Sequence, residues 1–471
     1  QACTNNLNDA LLSMEKAVLF EKKEPVMYAN QALICLEADR IDEAVFAACN
    51  GMALATSLPV PSSDPNHDQL KTAGYINARL AYAMVSASAG HPENAYPAYM
   101  EMLAVDPKHA AAGPNSCFVT SLMPIGPKEL IEPRKLWYMT NRVQRPRWPF
   151  KNDRNPDRVL KVGYVGGDFK SHSAAMMFAN VVLNHDRSVI EPFFYSSIPT
   201  DPEKDEMSAW FHKASATWRE VCGKTDDEVE AMIDDDAIDI LVDIAGHTNG
   251  GRLGVFCRKP APIQVTAWGF AHGTGIPEID VFFADPIAVP EDERQYFAER
   301  VYDLPCIVTY RPPSEYGLKA SSSAPYYQND CITFGSFTRF EKLSDQCLAT
   351  FKRILDAVPN SRMEFKDHAF KRPYSVRRIL KAMEGIDPSR LIFAGSTSHQ
   401  EHLLEYQKVD IKLDVFPHGA GVVTLEALYS GVPLLTMYGT QPSGRTASSV
   451  LTAIGRKDWI SRSEDEYVAK A

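Results

Sequence analysis

The chain has 471 residues, of which 45% are apolar and 23% charged, and this composition excludes a disordered or collagen-like protein and fits about three globular domains. Its 49 basic and 60 acidic residues give a formal net charge of −11, which excludes a broad basic surface for nucleic acid or an anionic membrane. None of the nine cysteines forms a C-x-x-C pair, so we expect reduced thiols and no zinc site. No signal peptide and no run of 18 apolar residues is visible, and we expect a cytoplasmic protein, or a nuclear one in a eukaryote.

The first region predicts helices that repeat along the chain. The pairs Asp9-Ala10 and Glu43-Ala44 lie 34 residues apart, and Asn94-Ala95 follows after a further 34 residues plus an insertion of 17, seen as the Pro/Ser-rich run 58–68. A helical period of 34 is typical of tetratricopeptide repeats, and a plain helical bundle is the alternative. We expect an all-α repeat segment over residues 1–125. Because the chain begins without Met and starts part-way through a repeat, we also expect it to be trimmed.

A segment rich in Pro, Asn and Asp, residues 126–157, predicts a linker. Five apolar runs then alternate with helical stretches near 173–185 and 226–234. Near-continuous apolar runs are typical of parallel strands buried on both faces, and their alternation with helices predicts βαβ units. The predicted strands are 159–165, 191–197, 238–244, 263–268 and 279–285.

A second linker begins at Lys319, and the alternation of strands and helices then resumes. We therefore expect an α/β fold with two Rossmann-like lobes, at 158–318 and 319–471, that bind ligands outside the carboxyl ends of their strands. The predicted strands of the second lobe are 331–336, 362–367, 391–395, 411–416 and 433–437, and its predicted helices are 343–356, 374–384, 399–408 and 423–430.

The segment 414–433 predicts an anion-binding turn. A strand is followed by a turn containing Gly419 and Gly421, and a helix begins near Val422. Glycines let the backbone approach a ligand, and the N–H groups of a helix N-terminus attract anions such as a diphosphate. Glu426 lies one turn inside this helix, where its carboxylate can accept hydrogen bonds from two ribose hydroxyls. The alternative is an ordinary packing turn with Glu426 on a solvated face.

Histidines follow the carboxyl ends of predicted strands in the first lobe. His172 follows the first of these strands and His247 the third, and loops at such ends often carry catalytic groups. A histidine can take a hydroxyl proton near neutral pH. A structural role is the alternative for each. A third loop, 268–275, contains His272 and Gly275 and can shape a sugar or peptide site.

Lys342 follows the strand 331–336, at the end of the sheet where ligands bind. A lysine there can neutralise charge that develops on a diphosphate leaving group, and a surface lysine is the alternative. No P-loop motif is found. The acidic run Asp234–Asp236 precedes a strand, so we expect a surface turn there and no metal site anywhere in the protein.

Several motifs in one order carry a resemblance to a known family. The stretches VGYVGGDFKSH (162–172), 239–269 and 414–437, placed after repeats, resemble the O-GlcNAc transferase and SPINDLY family of protein glycosyltransferases over residues 1–471. The resemblance implies a GT-B fold and an inverting transfer of a sugar from a nucleotide diphosphate to Ser or Thr of a protein, without metal or cofactor. The repeats would present a surface to the protein acceptor.

The resemblance also implies roles for single residues. Lys342 is similar to the lysine that stabilises the leaving diphosphate, Glu426 to the acidic residue that holds the ribose, and His402 to a histidine near the nucleotide. His172 is similar to a histidine that is either the base or an acceptor-site residue. The remaining implied contacts are Gly419, Gly421, Val422, Val423 and Arg445 for the nucleotide sugar, and His247, Thr248, His272 and Gly275 for the acceptor or the sugar.

The chain departs from the O-GlcNAc branch at the anion-binding turn. Gly421-Val422-Val423 stands where that branch has His-Thr-Thr, so imidazole and hydroxyl contacts are lost. Phe416-Pro417 and Glu426 resemble the SPINDLY branch, whose plant members transfer fucose. We expect UDP-GlcNAc as the donor, with GDP-fucose as the alternative. A scaffold protein with a non-catalytic transferase domain, and an enzyme that builds glycans, are further alternatives.

Overall fold

The computed structural model describes residues 4–58, 69–143, 150–320 and 323–471. Most of the predicted insertion at 58–68, and the linker prolines Pro146 and Pro149, lie outside the described residues. The chain divides into two compact units. The first unit consists of Gln1–Met123 and Asn329–Ser398, and the second of Pro124–Gln328 and His399–Ala471.

In the described residues of the N-terminal region, the regular elements are helices, as predicted. Its helices pack through alanines that are 0–1% exposed, such as Ala29, Ala32 and Ala44, because the small side chain lets helix axes approach closely. The tetratricopeptide assignment stays a prediction. The helices are α1 (Thr4–Phe20), α2 (Pro25–Glu37), α3 (Ile41–Thr56), α4 (Gln69–Ser88), α5 (Pro92–Val105) and α6 (Ala112–Val119).

The second unit contains a parallel sheet of seven strands in the order β3-β2-β1-β4-β5-β6-β7. All five predicted strands are present. The two strands missed by the prediction, β3 and β7, lie at the edges, where one-sided pairing requires no continuous apolar run. The strands are β1 (Leu160–Gly166), β2 (Ile190–Ser196), β3 (Thr217–Glu220), β4 (Ile240–Asp243), β5 (Ile263–Thr266), β6 (Val281–Ala284) and β7 (Arg300–Asp303).

Helices accompany this sheet, and the first of them occupies part of the expected linker. The predicted helices near 173–185 and 226–234 are present as α8 and α10. The helices are α7 (Pro127–Asn141), α8 (Ser173–Leu183), α9 (Glu206–Ala214), α10 (Asp226–Asp235) and α11 (Leu253–Phe256).

The strand order reverses between β1 and β4, which pair in parallel with Val162 opposite Ile240. The chain leaves these two strands toward opposite sides of the sheet, and such a switch point forms a crevice outside the strand ends. The loops 167–172 and 244–252 begin there. The first loop is anchored by Phe169, which is 0% exposed and packs edge-on against the rings of Phe178, Phe194 and Phe211.

A second parallel sheet contains the remaining strands. In the first unit the order is β10-β9-β8, and in the second unit it is β11-β12-β13. The expected α/β fold with two Rossmann-like sheets is thereby confirmed. The elements in chain order are α12 (Tyr326–Asn329), β8 (Ile332–Phe337), α13 (Asp345–Ala357), β9 (Ser361–Lys366), α14 (Pro373–Ala382), β10 (Leu391–Ala394), α15 (His399–Glu405), β11 (Ile411–Leu413), α16 (Val422–Tyr429), β12 (Leu434–Met437), α17 (Pro442–Ala453), β13 (Ile460–Ser461) and α18 (Glu464–Lys470).

The acidic run Asp234–Asp236 ends α10 in a turn, as expected, and Asp234 and Asp235 are exposed. Asp236 departs from this expectation, because it is only 8% exposed. It accepts a hydrogen bond of 2.7 Å from the Tyr195 hydroxyl and forms an ion pair with Arg219. Asp236 therefore ties the end of α10 to β2 and β3. None of the helices in the described part of the chain has the length and hydropathy needed to cross a bilayer.

Candidate active site

His172 lies at the switch point of the first sheet as the N-cap of α8. Its Nδ1 atom is 3.3 Å from the backbone nitrogen of Ala174 and 3.2 Å from Oδ1 of Asp168. The imidazole is 48% exposed, whereas the side chain of Asp168 is 12% exposed. Burial raises the pKa of Asp168, while the charges of His172 and Lys170 lower it. A largely buried carboxyl group thus stands behind an imidazole that faces solvent.

His247 and Thr248 follow β4, but both have partners within the fold. His247 is 2% exposed, and its Nε2 donates to the carbonyl oxygen of Thr274 at 2.8 Å. The hydroxyl of Thr248 donates to the carbonyl oxygen of Ala245 at 2.7 Å. Burial, with the positive charge of Arg134, lowers the pKa of His247 to about 3. His247 is therefore neutral at physiological pH.

The burial of His247 makes the stability of the protein depend on pH. Its pKa of about 3 in the folded protein compares with about 6.5 in an unfolded chain, so below pH 6.5 the unfolded chain binds the extra proton and stability falls. We expect His247→Gln to gain about 2 kcal/mol relative to the unchanged protein between pH 7 and pH 5. Denaturant unfolding at both pH values measures this shift, and an equal difference at the two values would contradict a neutral, buried His247.

His272 and Gly275 lie in the loop after β5. His272 is 4% exposed, and neither of its ring nitrogens has a hydrogen-bond partner within the described residues. Burial, with the charges of Arg134 and Arg445, lowers its pKa well below the usual value. Gly275 has a φ of +76°, and a Cβ there would lie 2.8 Å from that of Arg134. Sequence reasoning missed Arg134, because it belongs to no motif and lies in the segment predicted as a linker.

The predicted anion-binding turn is present, and α16 begins at Val422 with Gly421 as its N-cap. Asp414 shapes the turn by accepting hydrogen bonds from the Ala420 nitrogen at 3.0 Å and the Thr436 hydroxyl at 2.8 Å. A Cβ on Gly419 would lie 3.2 Å from this carboxylate. The first N–H groups of a helix have no acceptor within it, so this end of α16 attracts anions.

Helix α16 begins close to the helix that His172 caps. A Cβ on Gly421 would lie 3.3 Å from the Met177 sulfur on α8. The rings of His418 and His272 are 6.4 Å apart. The second unit therefore brings the loop of His172, the N-terminus of α16 and the loop of His272 into one neighbourhood.

Glu426 holds two histidines of α15. Its Oε1 accepts a hydrogen bond from His399 Nε2 at 2.9 Å, and its Oε2 accepts one from His402 Nε2 at 3.2 Å. The carboxylate is 4% exposed, so the alternative of a solvated face was wrong. Burial raises the pKa of Glu426, but the two hydrogen bonds outweigh it and lower the pKa to about 2. Sequence reasoning missed His399, although two histidines three residues apart on a predicted helix share one face.

A buried lysine balances the acidic groups beneath α16. Lys412 is 1% exposed, and its Nζ is 3.8 Å from Oδ1 of Asp414. Burial lowers the pKa of Lys412, while the charges of Asp414 and Glu426 raise it. Uncompensated buried carboxylates are costly, so this lysine stabilises the ionised state of the site.

Arg445 is also buried, at 4% exposed. Its two terminal nitrogens donate to the carboxylate of Glu293 at 2.6 Å each, and its Nε donates to the carbonyl oxygen of Gly439 at 2.7 Å. This bidentate pair fixes the guanidinium in place. A direct contact between Arg445 and a nucleotide stays a prediction.

Lys342 belongs to the first unit and ends a 3-10 turn, Phe340–Lys342. The helix predicted over 343–356, directly after Lys342, begins only at Asp345, after the N-cap Ser344. The lysine is half-buried, and its flanking neighbours Phe340 and Leu343 are 0% exposed. Two buried neighbours therefore anchor the short turn that carries Lys342.

Metal ligands are not grouped in the part of the chain that the structure describes. There, no three His, Cys, Asp or Glu side chains stand close enough together to hold a metal ion. The absence of a metal cofactor stays a prediction.

Comparison with known proteins gives a family and a fold. Residues 138–308 and 315–471 match the model of Glycosyl transferase family 41. A relative from Solanum lycopersicum, named probable UDP-N-acetylglucosamine–peptide N-acetylglucosaminyltransferase SPINDLY, is 32% identical over 378 residues, which are 78% of this chain and 40% of the relative. The protein of the same name from Arabidopsis thaliana is 32% identical over 371 residues, 77% of this chain and 40% of the relative. The chain thus spans about two fifths of the length of these relatives.

A solved structure shares the fold over nearly the whole chain. It is an O-GlcNAc transferase mutant from Thermobaculum terrenum, with a TM-score of 0.84 and 24% identity, and the match covers 98% of this chain and 85% of that one.

Proposed function

This chain belongs to glycosyl transferase family 41, and we propose that it is an inverting, metal-independent glycosyltransferase that moves a sugar from a nucleotide diphosphate to Ser or Thr of a protein. The observation that carries the proposal is the neighbourhood formed by α8 and α16. A solvent-facing histidine backed by a carboxyl group caps one helix, and the first turn of the other helix begins beside that helix. The first arrangement suits a general base and the second suits a phosphate.

The proposed reaction is a single displacement. The acceptor hydroxyl oxygen attacks the anomeric carbon, the bond between that carbon and the diphosphate oxygen breaks, and its electron pair leaves with the nucleoside diphosphate. His172 takes the hydroxyl proton on Nε2. The N-terminus of α16 and the ammonium group of Lys342 stabilise the negative charge that develops on the leaving group, which is often the largest contribution to catalysis.

His247 and His272 have the properties of sugar-binding residues in this proposal. Both are neutral and buried, and the ring nitrogens of His272 lack partners within the described residues. A buried polar atom without a partner costs about 1–3 kcal/mol, and a sugar hydroxyl both donates and accepts hydrogen bonds. A bound sugar would offset this cost.

Glu426 acts on the nucleotide partly through its histidines. Its two oxygens already accept hydrogen bonds from His399 and His402, and the carboxylate is nearly inaccessible. The histidines themselves are 25% and 19% exposed. A ribose hydroxyl can bond to the remaining lone pairs of Glu426 or to the histidine rings that it orients.

The identity of the donor rests on the relatives. Those from tomato and Arabidopsis carry names that specify UDP-N-acetylglucosamine and a peptide acceptor, and we propose UDP-GlcNAc and a protein acceptor here. GDP-fucose is the alternative donor, because Phe416-Pro417 and Glu426 resemble the SPINDLY branch, whose plant members transfer fucose. The helical region before the lobes is proposed to present the acceptor.

Thermal unfolding with candidate donors tests the proposed function. A ligand that binds only the folded protein raises its stability by about 2.7 kcal/mol at 100 times its Kd. We expect UDP-GlcNAc to raise the melting temperature in EDTA as much as in Mg²⁺. Glu426→Gln should weaken this binding about 10- to 100-fold, because its amide cannot accept hydrogen bonds from both histidines, and one such bond to a charged group contributes about 1.5–3 kcal/mol.

Glu405→Gln is the matched control, since Glu405 lies on α15 and pairs with Lys408 rather than with the histidines. It should bind the donor as the unchanged protein does. Stabilisation by GDP-fucose alone would select the alternative donor. No stabilisation by either donor would favour the scaffold.

A further inference from the structure

An arginine on α14 lies against the helical region at a glycine turn. Gly90 joins α4 to α5 with a φ of +83°, a conformation that disfavours other residues. A Cβ on Gly90 would lie 3.1 Å from Cζ of Arg378 and closer still to its Nη1. Only a residue without a side chain allows the guanidinium to approach this turn so closely.

The same arginine holds the turn that carries Lys342. Its Nη2 donates to the carbonyl oxygen of Leu343 at 3.0 Å and to Asp345 Oδ1 at 2.9 Å. Its guanidinium also lies 5.2 Å from the centre of the Phe340 ring. Arg378 thus contacts the turn on both sides of Lys342 with a side chain that is only 12% exposed.

A second arginine supports the same turn less directly. Arg372 forms an ion pair with Asp39, at the turn between α2 and α3, and donates to His368 Nε2 at 3.0 Å. The neighbouring carboxylate of Asp367 accepts a hydrogen bond from the backbone nitrogen of Phe340 at 3.4 Å. The helical region therefore reaches the Lys342 turn by two routes within one compact unit.

We propose that Arg378 is a positioning residue for Lys342, and that the Gly90 turn of the helical region sets the position of Arg378. A single 3-10 turn has poor hydrogen-bond geometry and little stability of its own. The position of the Lys342 side chain therefore depends on the contacts that fix Phe340 and Leu343. The helical region is proposed above to present the acceptor. Through the contact between Gly90 and Arg378, it also helps to hold Lys342, the lysine proposed to stabilise the leaving diphosphate. The inference rests on the proposed function, in which Lys342 stabilises the diphosphate.

A double-mutant cycle on the full chain tests the inference. Transfer from UDP-GlcNAc is measured for Arg378→Met, Lys342→Ala and the double variant, with kcat normalised to the folded fraction. We expect Arg378→Met to lower kcat about tenfold with little change in the KM for the donor. In the Lys342→Ala background the same substitution should have almost no further effect on kcat, because residues that act as one unit are not additive. Arg378→Lys, which keeps the charge but not the planar fork, should recover only part of the rate.

Arg377→Met is the matched control. Arg377 lies on the same helix and pairs with Asp42 of the helical region, but it is 60% exposed and makes no contact with the Lys342 turn among the interactions described above. Its kcat should stay unchanged. If Arg378→Met does not fold, Gly90→Ala, which displaces the guanidinium, replaces it in the cycle. Equal losses from Arg378→Met with and without Lys342 overturn the inference while the proposed function stands, whereas an unchanged kcat in Lys342→Ala overturns both.

Discussion

Replacing Lys342 with alanine is expected to lower the rate of sugar transfer by roughly 10²–10³, or about 3–4 kcal/mol of transition-state stabilisation. The breaking bond leaves negative charge on the diphosphate, and the ammonium group offsets that charge only as it forms. The loss should therefore appear in kcat more than in the KM for the donor. Steady-state transfer from the donor identified by thermal unfolding, with a peptide acceptor, measures both constants.

The fold should survive this substitution, because Lys342 is half-buried and its neighbours Phe340 and Leu343 provide the packing. Lys381→Ala, at an exposed position in the last turn of α14, controls for the loss of a positive charge elsewhere. An unchanged kcat in Lys342→Ala, or an equal loss in Lys381→Ala, would contradict the role proposed for Lys342.

The sheets could be predicted from the sequence because their central strands are buried on both faces. β1, with the sequence LKVGYVG, and β4, with ILVD, are apolar enough to be recognised as strands without knowing which strands they pair with. β3 (TWRE) and β7 (RVYD) are short and half-exposed at the sheet edges, so their composition resembles that of a loop. An apolar run in the sequence indicates a buried strand, and the edge strands are too little buried to produce such a run.

The places of the predicted site residues follow from the same logic. Because parallel strands end at one edge of a sheet, the loops that follow β1 and β4 must begin near each other. They do, since a Cβ on Gly167 would lie 3.2 Å from the Cα of Gly250. The pattern could not tell which histidine in these loops would face solvent. That distinction depends on Arg134 and Thr274, whose proximity to His247 arises from packing of segments distant in the chain.

Pairwise contacts were the part that sequence reasoning could not supply. The helix period placed Glu426 one turn inside α16, but it could not show that His399 and His402 would take both carboxylate oxygens. Arg378 and Gly90 are separated by 288 positions in the printed sequence, and no spacing rule connects them. The roles given to these residues therefore come from geometry, whereas the resemblance supplied the reaction.

His172→Asn is expected to lower the rate of transfer by about 10²–10⁴, the contribution typical of a general base. Asparagine is a preferred N-cap, so its side-chain oxygen can accept a hydrogen bond from the Ala174 nitrogen, which lies 3.3 Å from Nδ1 of His172, and preserve α8. The loss should therefore concern proton transfer and leave folding intact.

Asp168 decides which nitrogen of His172 can act as the base. If Nδ1 donates to Asp168, Nε2 carries the lone pair and faces solvent; if Nδ1 instead accepts from Ala174, Nε2 carries the proton and cannot act as a base. Asp168→Asn weakens the first arrangement, and we expect it to lower kcat by about tenfold or more without weakening donor binding. His109→Asn is the matched control: His109 lies just before α6, its Nδ1 accepts a hydrogen bond from the Ala112 nitrogen, and no carboxylate is among its described partners. This substitution should leave kcat unchanged. Because it and His172→Asn both replace a histidine with asparagine near the start of a helix, an equal loss in His109→Asn would assign the effect of His172→Asn to stability and remove His172 as the base.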